Sequence, residues 1–60
     1  MKISYDQEDD ILHIEFFATP IVRDVSYRKD ISIGFDQNGI AEITVLNARA
    51  GGYWPVENMN

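Results

Sequence analysis

Residues 31–45, ISIGFDQNGIAEITV, alternate apolar and polar side chains on both sides of a short polar break. Alternation with a period of two is the pattern of a strand with one buried face. Two such runs this close together read as a hairpin whose apolar side chains share one side. A one-residue slip would turn every side chain of a strand to the wrong face, so the pattern also selects the turn. A two-residue turn at Asn38 and Gly39 would set Phe35 opposite Glu42 and Ile33 opposite Thr44. A three-residue loop of Gln37, Asn38 and Gly39 instead sets Phe35 opposite Ala41, Ile33 opposite Ile43 and Ile31 opposite Val45. The three-residue loop is the expectation, built as a type I turn from Asp36 with Gly39 in the left-handed region as a bulge.

The same arithmetic applies to the start of the chain. Met1, Ile3 and Tyr5 alternate with polar residues, and so do Leu12, Ile14 and Phe16. Pairing Tyr5 with Leu12, Ile3 with Ile14 and Met1 with Phe16 puts all six on one face and leaves a four-residue loop, residues 7–10. In the middle, Ala18-Thr19-Pro20 reads as a turn and residues 21–27 as a strand. The alternation of that strand is imperfect, which suggests a bulge or an edge position near Asp24. Residues 46–50 are expected to form about one turn of helix ended by Gly51-Gly52. The last residues, with Tyr53 and Trp54, are an aromatic tail.

The expected fold is mainly β, or α+β at most: an antiparallel meander of four to five strands with a short C-terminal helix and an aromatic tail. Residues 1–50 form the domain and 51–60 the tail. With 60 residues and no cysteine, neither disulfides nor thiolate zinc sites can supplement a small core. Ile3, Tyr5, Leu12, Ile14, Phe16, Ile31, Ile33, Phe35, Ile43 and Val45 form one apolar face, and one short helix is too little to cover it. Curvature, the Trp54 tail or a second copy packed sheet on sheet would each do so. Ile11, Phe17, Ile40 and Leu46 are candidates for the other face.

The formal charge of −5 opposes direct nucleic-acid binding, which depends on basic side chains displacing counterions. The acidic residues Asp6, Glu8, Asp9 and Asp10 suit a basic protein partner or simply a solvated loop. The N-terminus carries no apolar run of a signal peptide and no stretch reaches the roughly 20 apolar residues of a membrane span, so the expectation is a cytoplasmic protein without a membrane role.

Candidate chemistry is sparse. His13 is the only histidine; with Glu15 it makes a candidate polar site on the face opposite Leu12 and Ile14, where Ser4 is its expected neighbour. Asp6-x-Glu8-x-Asp10 imitates the start of a calcium loop but has Ile11 where glycine is needed and Phe17 where a bidentate carboxylate is needed. No nucleophile stands at a spacing that would activate it, Gly51-Gly52 is not part of a phosphate loop, and no cofactor is expected. Phe17, Tyr53 and Trp54 are candidate partner contacts, because exposed aromatics are enriched at binding hot spots.

MKISYDQEDDILHI resembles the opening of a family of small bacterial proteins known as domain of unknown function 2283: Met-Lys, an aliphatic residue, Tyr-Asp, an acidic loop, then Leu-x-Ile. ISIGFDQNGIAEITVLNA is similar to the closing pattern of the same family, with an Asp-x-x-Gly turn and a final Leu-Asn-Ala, and together the two stretches carry the resemblance over residues 1–48. The resemblance implies an antiparallel sheet ending in a short helix, and no catalytic residue. Some members are encoded beside small toxin-like proteins, which implies an antitoxin role. After Ala48 the chain departs from the family pattern, with Arg49-Ala50-Gly51-Gly52 in place of a polar, lysine-containing helix end.

Three functional readings follow. The first is a non-enzymatic interaction module, antitoxin-like towards a small basic partner. The second is a self-assembling homodimer or higher oligomer with no other partner. The third is an enzyme or ligand binder using His13 and Glu15.

Overall fold

The computed structural model describes residues 1–53. Five strands lie among them: β1 (Lys2–Asp6), β2 (Ile11–Glu15), β3 (Arg23–Tyr27), β4 (Ile31–Asp36) and β5 (Gly39–Leu46). They form one antiparallel sheet in the order β1-β2-β5-β4-β3. The sheet is therefore not a simple meander. The longest strand, β5, is inserted between β2 and β4, and residues 16–22 carry the chain from β2 to the far edge.

The N-terminal hairpin has the expected register, with Ile3 opposite Ile14 and Tyr5 opposite Leu12 across the loop of residues 7–10. The β4–β5 hairpin keeps Ile33 opposite Ile43 and Ile31 opposite Val45, but Phe35 lies opposite Ile40 rather than Ala41. The turn itself spans only Gln37 and Asn38, since Asp36 pairs with Gly39. The extra residue is accommodated further along, where Gly34 pairs with Glu42 and Phe35 with Ile40, leaving Ala41 as the bulge. Asp36 decides this outcome: its Oδ1 accepts the Asn38 and Gly39 amides at 2.7 and 2.9 Å and closes the turn tightly. Gly39 has φ +144°, which is positive but not left-handed helical.

The connection from β2 to β3 follows the end of this hairpin. The Phe16 and Phe17 amides both donate to the Ala41 carbonyl, and the Val22 amide to the Phe35 carbonyl. Thr19 Oγ1 donates to the buried Asp36 carboxylate at 2.6 Å. β3 begins at Arg23, so Ile21 and Val22 lie outside it, and it is an edge strand with every residue exposed.

The expected helix over residues 46–50 is not formed; no helix is present among the described residues. Leu46 instead ends β5, and Asn47 adopts a positive φ of 53° that breaks the strand. Residues 47–53 make a single tight turn. Tyr53 donates to the Ala48 carbonyl and Gly52 to that of Arg49, with Gly52 at φ +84°. This is the bond pattern with which helices usually end, applied to a segment too short to be one. Of the aromatic tail only Tyr53 is described, and Trp54 lies outside the described residues.

Leu12, Val45 and Ala48 form the buried cluster, with Tyr5, Ile14, Ile31, Ile43 and Tyr53 packed around it. The turn of residues 47–53 thus covers one end of the apolar face. Leu12 and Val45 are the only large apolar side chains buried to this degree among the described residues, at 4% and 6% exposure.

Candidate functional site

The pairings define two faces. On one, Ile3, Ile14, Ile43, Ile33 and Val25 stand opposite one another in a row across all five strands. Tyr5, Leu12, Val45, Ile31 and Tyr27 form the parallel row beside it. The turn of residues 47–53 packs on part of the second row. Among the described residues the first is less covered: Ile3 is 50% exposed and Val25 38%, while the isoleucines between them are half-buried, Ile14 and Ile43 packing against the Leu12, Val45 and Ala48 cluster. At the β3 edge of the second row Tyr27 is 56% exposed.

The opposite face is mostly polar, although Ile11 and Leu46 stand opposite one another on it, next to Asp6. Ser4, His13, Thr44, Ser32 and Ser26 form one row across five strands. Lys2, Glu15, Glu42, Gly34 and Asp24 form the next. His13 faces Ser4, as expected, and its Nε2 lies 3.3 Å from Glu42 Oε1. Glu15 stands directly opposite Glu42, a like-charged cross-strand pair that is unfavourable in itself. Glu42 leans away over Gly34: a Cβ added at Gly34 would meet Glu42 Cγ at 2.7 Å. The glycine therefore gives Glu42 room to lie across β4 while its carboxylate reaches His13.

A shallow open groove runs along Ser4, Asp6, Ile11 and His13, with Glu15 outside it. No group of three or more His, Asp or Glu side chains among the described residues is arranged to hold a metal ion. Glu42, whose carboxylate meets the His13 ring, is 29 positions away in sequence, and no local signal brings the two together.

The acidic loop is organised by bonds within the protein. Asp6 Oδ1 accepts the Glu8 and Asp9 amides. Asp10, at φ +58°, has a carboxylate that accepts the Tyr5 hydroxyl at 2.7 Å and the Arg49 and Ala50 amides at 2.8 and 3.1 Å. Its carbonyl also accepts the Ala48 amide. The Tyr5 hydroxyl first, and then the Arg49 amide, hold the Asp10 carboxyl below its ordinary value, and the same contact raises the Tyr5 hydroxyl above its own. The Thr19 hydroxyl and then the Asn38 amide do the same for Asp36. These two carboxylates act as internal fasteners and point to no ligand.

Phe17 is 60% exposed, and its amide is bonded to Ala41 near the start of β5. Tyr53 packs on Ala48 beyond the other end of that strand, so the structure does not gather the two into one patch. Arg23 lies over the Phe35 ring at 4.6 Å and Arg28 over the Tyr27 ring at 5.6 Å, at the β3 edge of the sheet. No helix among the described residues is long and apolar enough to cross a membrane.

No curated protein and no solved structure matches the chain. One family model does, over residues 2–49. That span contains all five strands and most of the chain, and it places the protein in the family described as Protein of unknown function (DUF2283).

Proposed function

We propose that the protein is a non-enzymatic protein–protein interaction module that docks through its apolar sheet face. The observation that carries this reading is the isoleucine row, an aliphatic stripe that crosses every strand and whose two ends, Ile3 and Val25, are exposed among the described residues. Contiguous apolar surface of this kind marks contact sites on small soluble proteins. The polar face supports chemistry less well: among the described residues His13 meets one carboxylate, Glu42, in an open groove, and the Ser4 and Thr44 hydroxyls that face it are not hydrogen-bonded to it.

The acidic surface supports a finer reading, an antitoxin-like protein with a small basic partner. Asp6, Glu8 and Asp9 are exposed on the β1–β2 loop, and Glu15 and Asp24 stand on the polar face. With a net charge of −5, these groups attract and orient a cationic protein at low ionic strength. The family resemblance implies the same role. Native mass spectrometry of a tagged copy purified from its own host at low salt tests this reading. The expected result is a stoichiometric complex with a protein partner; a basic one that salt releases supports the antitoxin-like role. A chain recovered as a lone monomer at every salt concentration overturns both levels of the proposal.

A further inference from the structure

Asn38 and Gly39 adjoin at the β4–β5 turn, and the two can react with each other. The side-chain amide carbon of an asparagine is open to attack by the backbone nitrogen of the next residue. Glycine hinders that nitrogen least, because it has no Cβ. We propose that Asn38 is a modification site of this protein: it deamidates through a cyclic imide closed by the Gly39 nitrogen, at a rate set by the Asp36 carboxylate that holds the proton of that nitrogen.

The step balances without oxidant or reductant. The Gly39 nitrogen loses its proton and bonds to Asn38 Cγ, the Cγ–Nδ2 bond breaks, and the side-chain amide leaves as ammonia with that proton. Water then opens the ring at one of its two carbonyls. Opening at Cγ leaves aspartate in the ordinary main chain. Opening at the main-chain carbonyl leaves isoaspartate, whose main chain runs through Cβ and Cγ and is one atom longer.

Two features of the turn favour the reaction and one restrains it. Asn38 is exposed, so water reaches the ring. A Cβ built on Gly39 would meet nothing within 4 Å, so no neighbour crowds the nitrogen from that side. Against these, Asp36 Oδ1 accepts the Asn38 and Gly39 amides at 2.7 and 2.9 Å, while Oδ2 is fixed by the Thr19 hydroxyl at 2.6 Å. Taking the proton from a nitrogen that faces a carboxylate sets two negative charges against each other. Bringing the nitrogen onto Cγ also means leaving Asp36, and the buried carboxylate has three donors to hold it in place.

Asn47 supplies a comparison within the same chain. It is exposed too, but the residue after it, Ala48, carries a side chain, is fully buried and donates its amide to the Asp10 carbonyl. The fold therefore leaves Asn38 as the more reactive of the two. Its conversion adds one negative charge to the formal −5. Isoaspartate also lengthens a turn of two residues and draws the Gly39 amide off the carboxylate that anchors the β2–β3 connection through Thr19.

The test is incubation of the full-length chain at mildly alkaline pH, followed by intact mass and by peptide mapping that separates aspartate from isoaspartate at residue 38. Conversion is expected to be about tenfold or more slower in the folded chain than in the same chain unfolded in urea, the factor that a hydrogen bond to a charged group is worth. Asp36→Asn keeps an acceptor in this place and removes the charge. It is expected to speed conversion in the folded chain and to leave the rate in urea unchanged. Thr19→Val, which frees the carboxylate from its other donor, replaces it if Asp36→Asn does not fold and is expected to act in the same direction. Equal rates in the folded and unfolded parent overturn the role of Asp36, and so does a parental rate in the variant whose strand circular dichroism is retained. No conversion of Asn38 in urea, or conversion of Asn47 ahead of it in the folded chain, overturns the site itself.

Discussion

The Tyr5 hydroxyl donates to Asp10 Oδ1 across 2.7 Å, and the same carboxylate receives the amides of Arg49 and Ala50 from the far end of the chain. One side chain in the β1–β2 loop therefore fixes the turn that covers Leu12 and Val45. Asp10→Ala should lower the thermal midpoint and expose the Arg49 and Ala50 amides to hydrogen exchange. Asp10→Asn should do less harm, because asparagine tolerates the positive φ at this position and still accepts hydrogen bonds. Equal losses in the two variants would show that the carboxylate charge, and not the backbone geometry, holds the turn.

The pH dependence of stability follows from the same groups. Asp10 and Asp36 are held below their ordinary value of 3.8. Their contribution is therefore fully present above 3.8 and is lost as pH falls through the lowered values. Tyr5 is raised above 10.0, so its contribution is present below 10.0 and is lost as pH rises through the raised value. Urea midpoints should be level between these limits and fall at both ends, and Asp36→Asn should flatten the acid limb.

Gly39 has open space where a side chain would stand, but its φ of +144° belongs to a region almost closed to other residues. Gly39→Val should destabilise the chain by about 1–3 kcal/mol through backbone strain alone. Chemical denaturation measures this, and a variant as stable as the parent would show that the hairpin turn can relax.

Leu12 lies at the centre of the buried cluster, with Val45 and Ala48 against it. Leu12→Ala should cost about 2–5 kcal/mol. In a 60-residue chain that is a large part of the total, so the variant should be mostly unfolded near physiological temperature, as read by strand circular dichroism.

Gly34→Ala brings a methyl group to within 2.7 Å of Glu42 Cγ. Glu42 must then shift, and the shift is expected to draw its carboxylate off His13. The expected outcome is a changed imidazole nuclear magnetic resonance signal for His13 together with a loss of stability. An unchanged signal would mean that Glu42 can reach His13 by another rotamer.

Much of the architecture could be read from local pattern. The register of Ile3 with Ile14 and of Ile33 with Ile43 and the four-residue first loop follow from alternation and loop length, because hairpin partners are adjacent in sequence; of the bulge or edge position expected near Asp24, the structure has the edge. The bulge at Ala41 was not legible, since Asp36 closes a shorter turn through its side chain and displaces the extra residue along the strand. The one-turn helix was not formed because Asn47 leaves the strand at positive φ and the chain closes within a few residues. In the candidate polar site, the pairing of His13 with Ser4 was visible and Glu42 was not.

Alternation states which face a side chain occupies and leaves open which strand lies alongside. By itself the sequence determined one aliphatic face, a second face that is mostly polar but carries Ile11 and Leu46, and the two hairpins that carry them. Only the tertiary structure decided that β5 enters between β2 and β4. That insertion joins positions about 30 to 40 residues apart, bringing Glu42 to His13 and the 48–50 segment to Asp10. All five strands present similar apolar residues to the same side. The choice of neighbour therefore rests on how the whole set packs, a quantity that no local stretch of the chain contains.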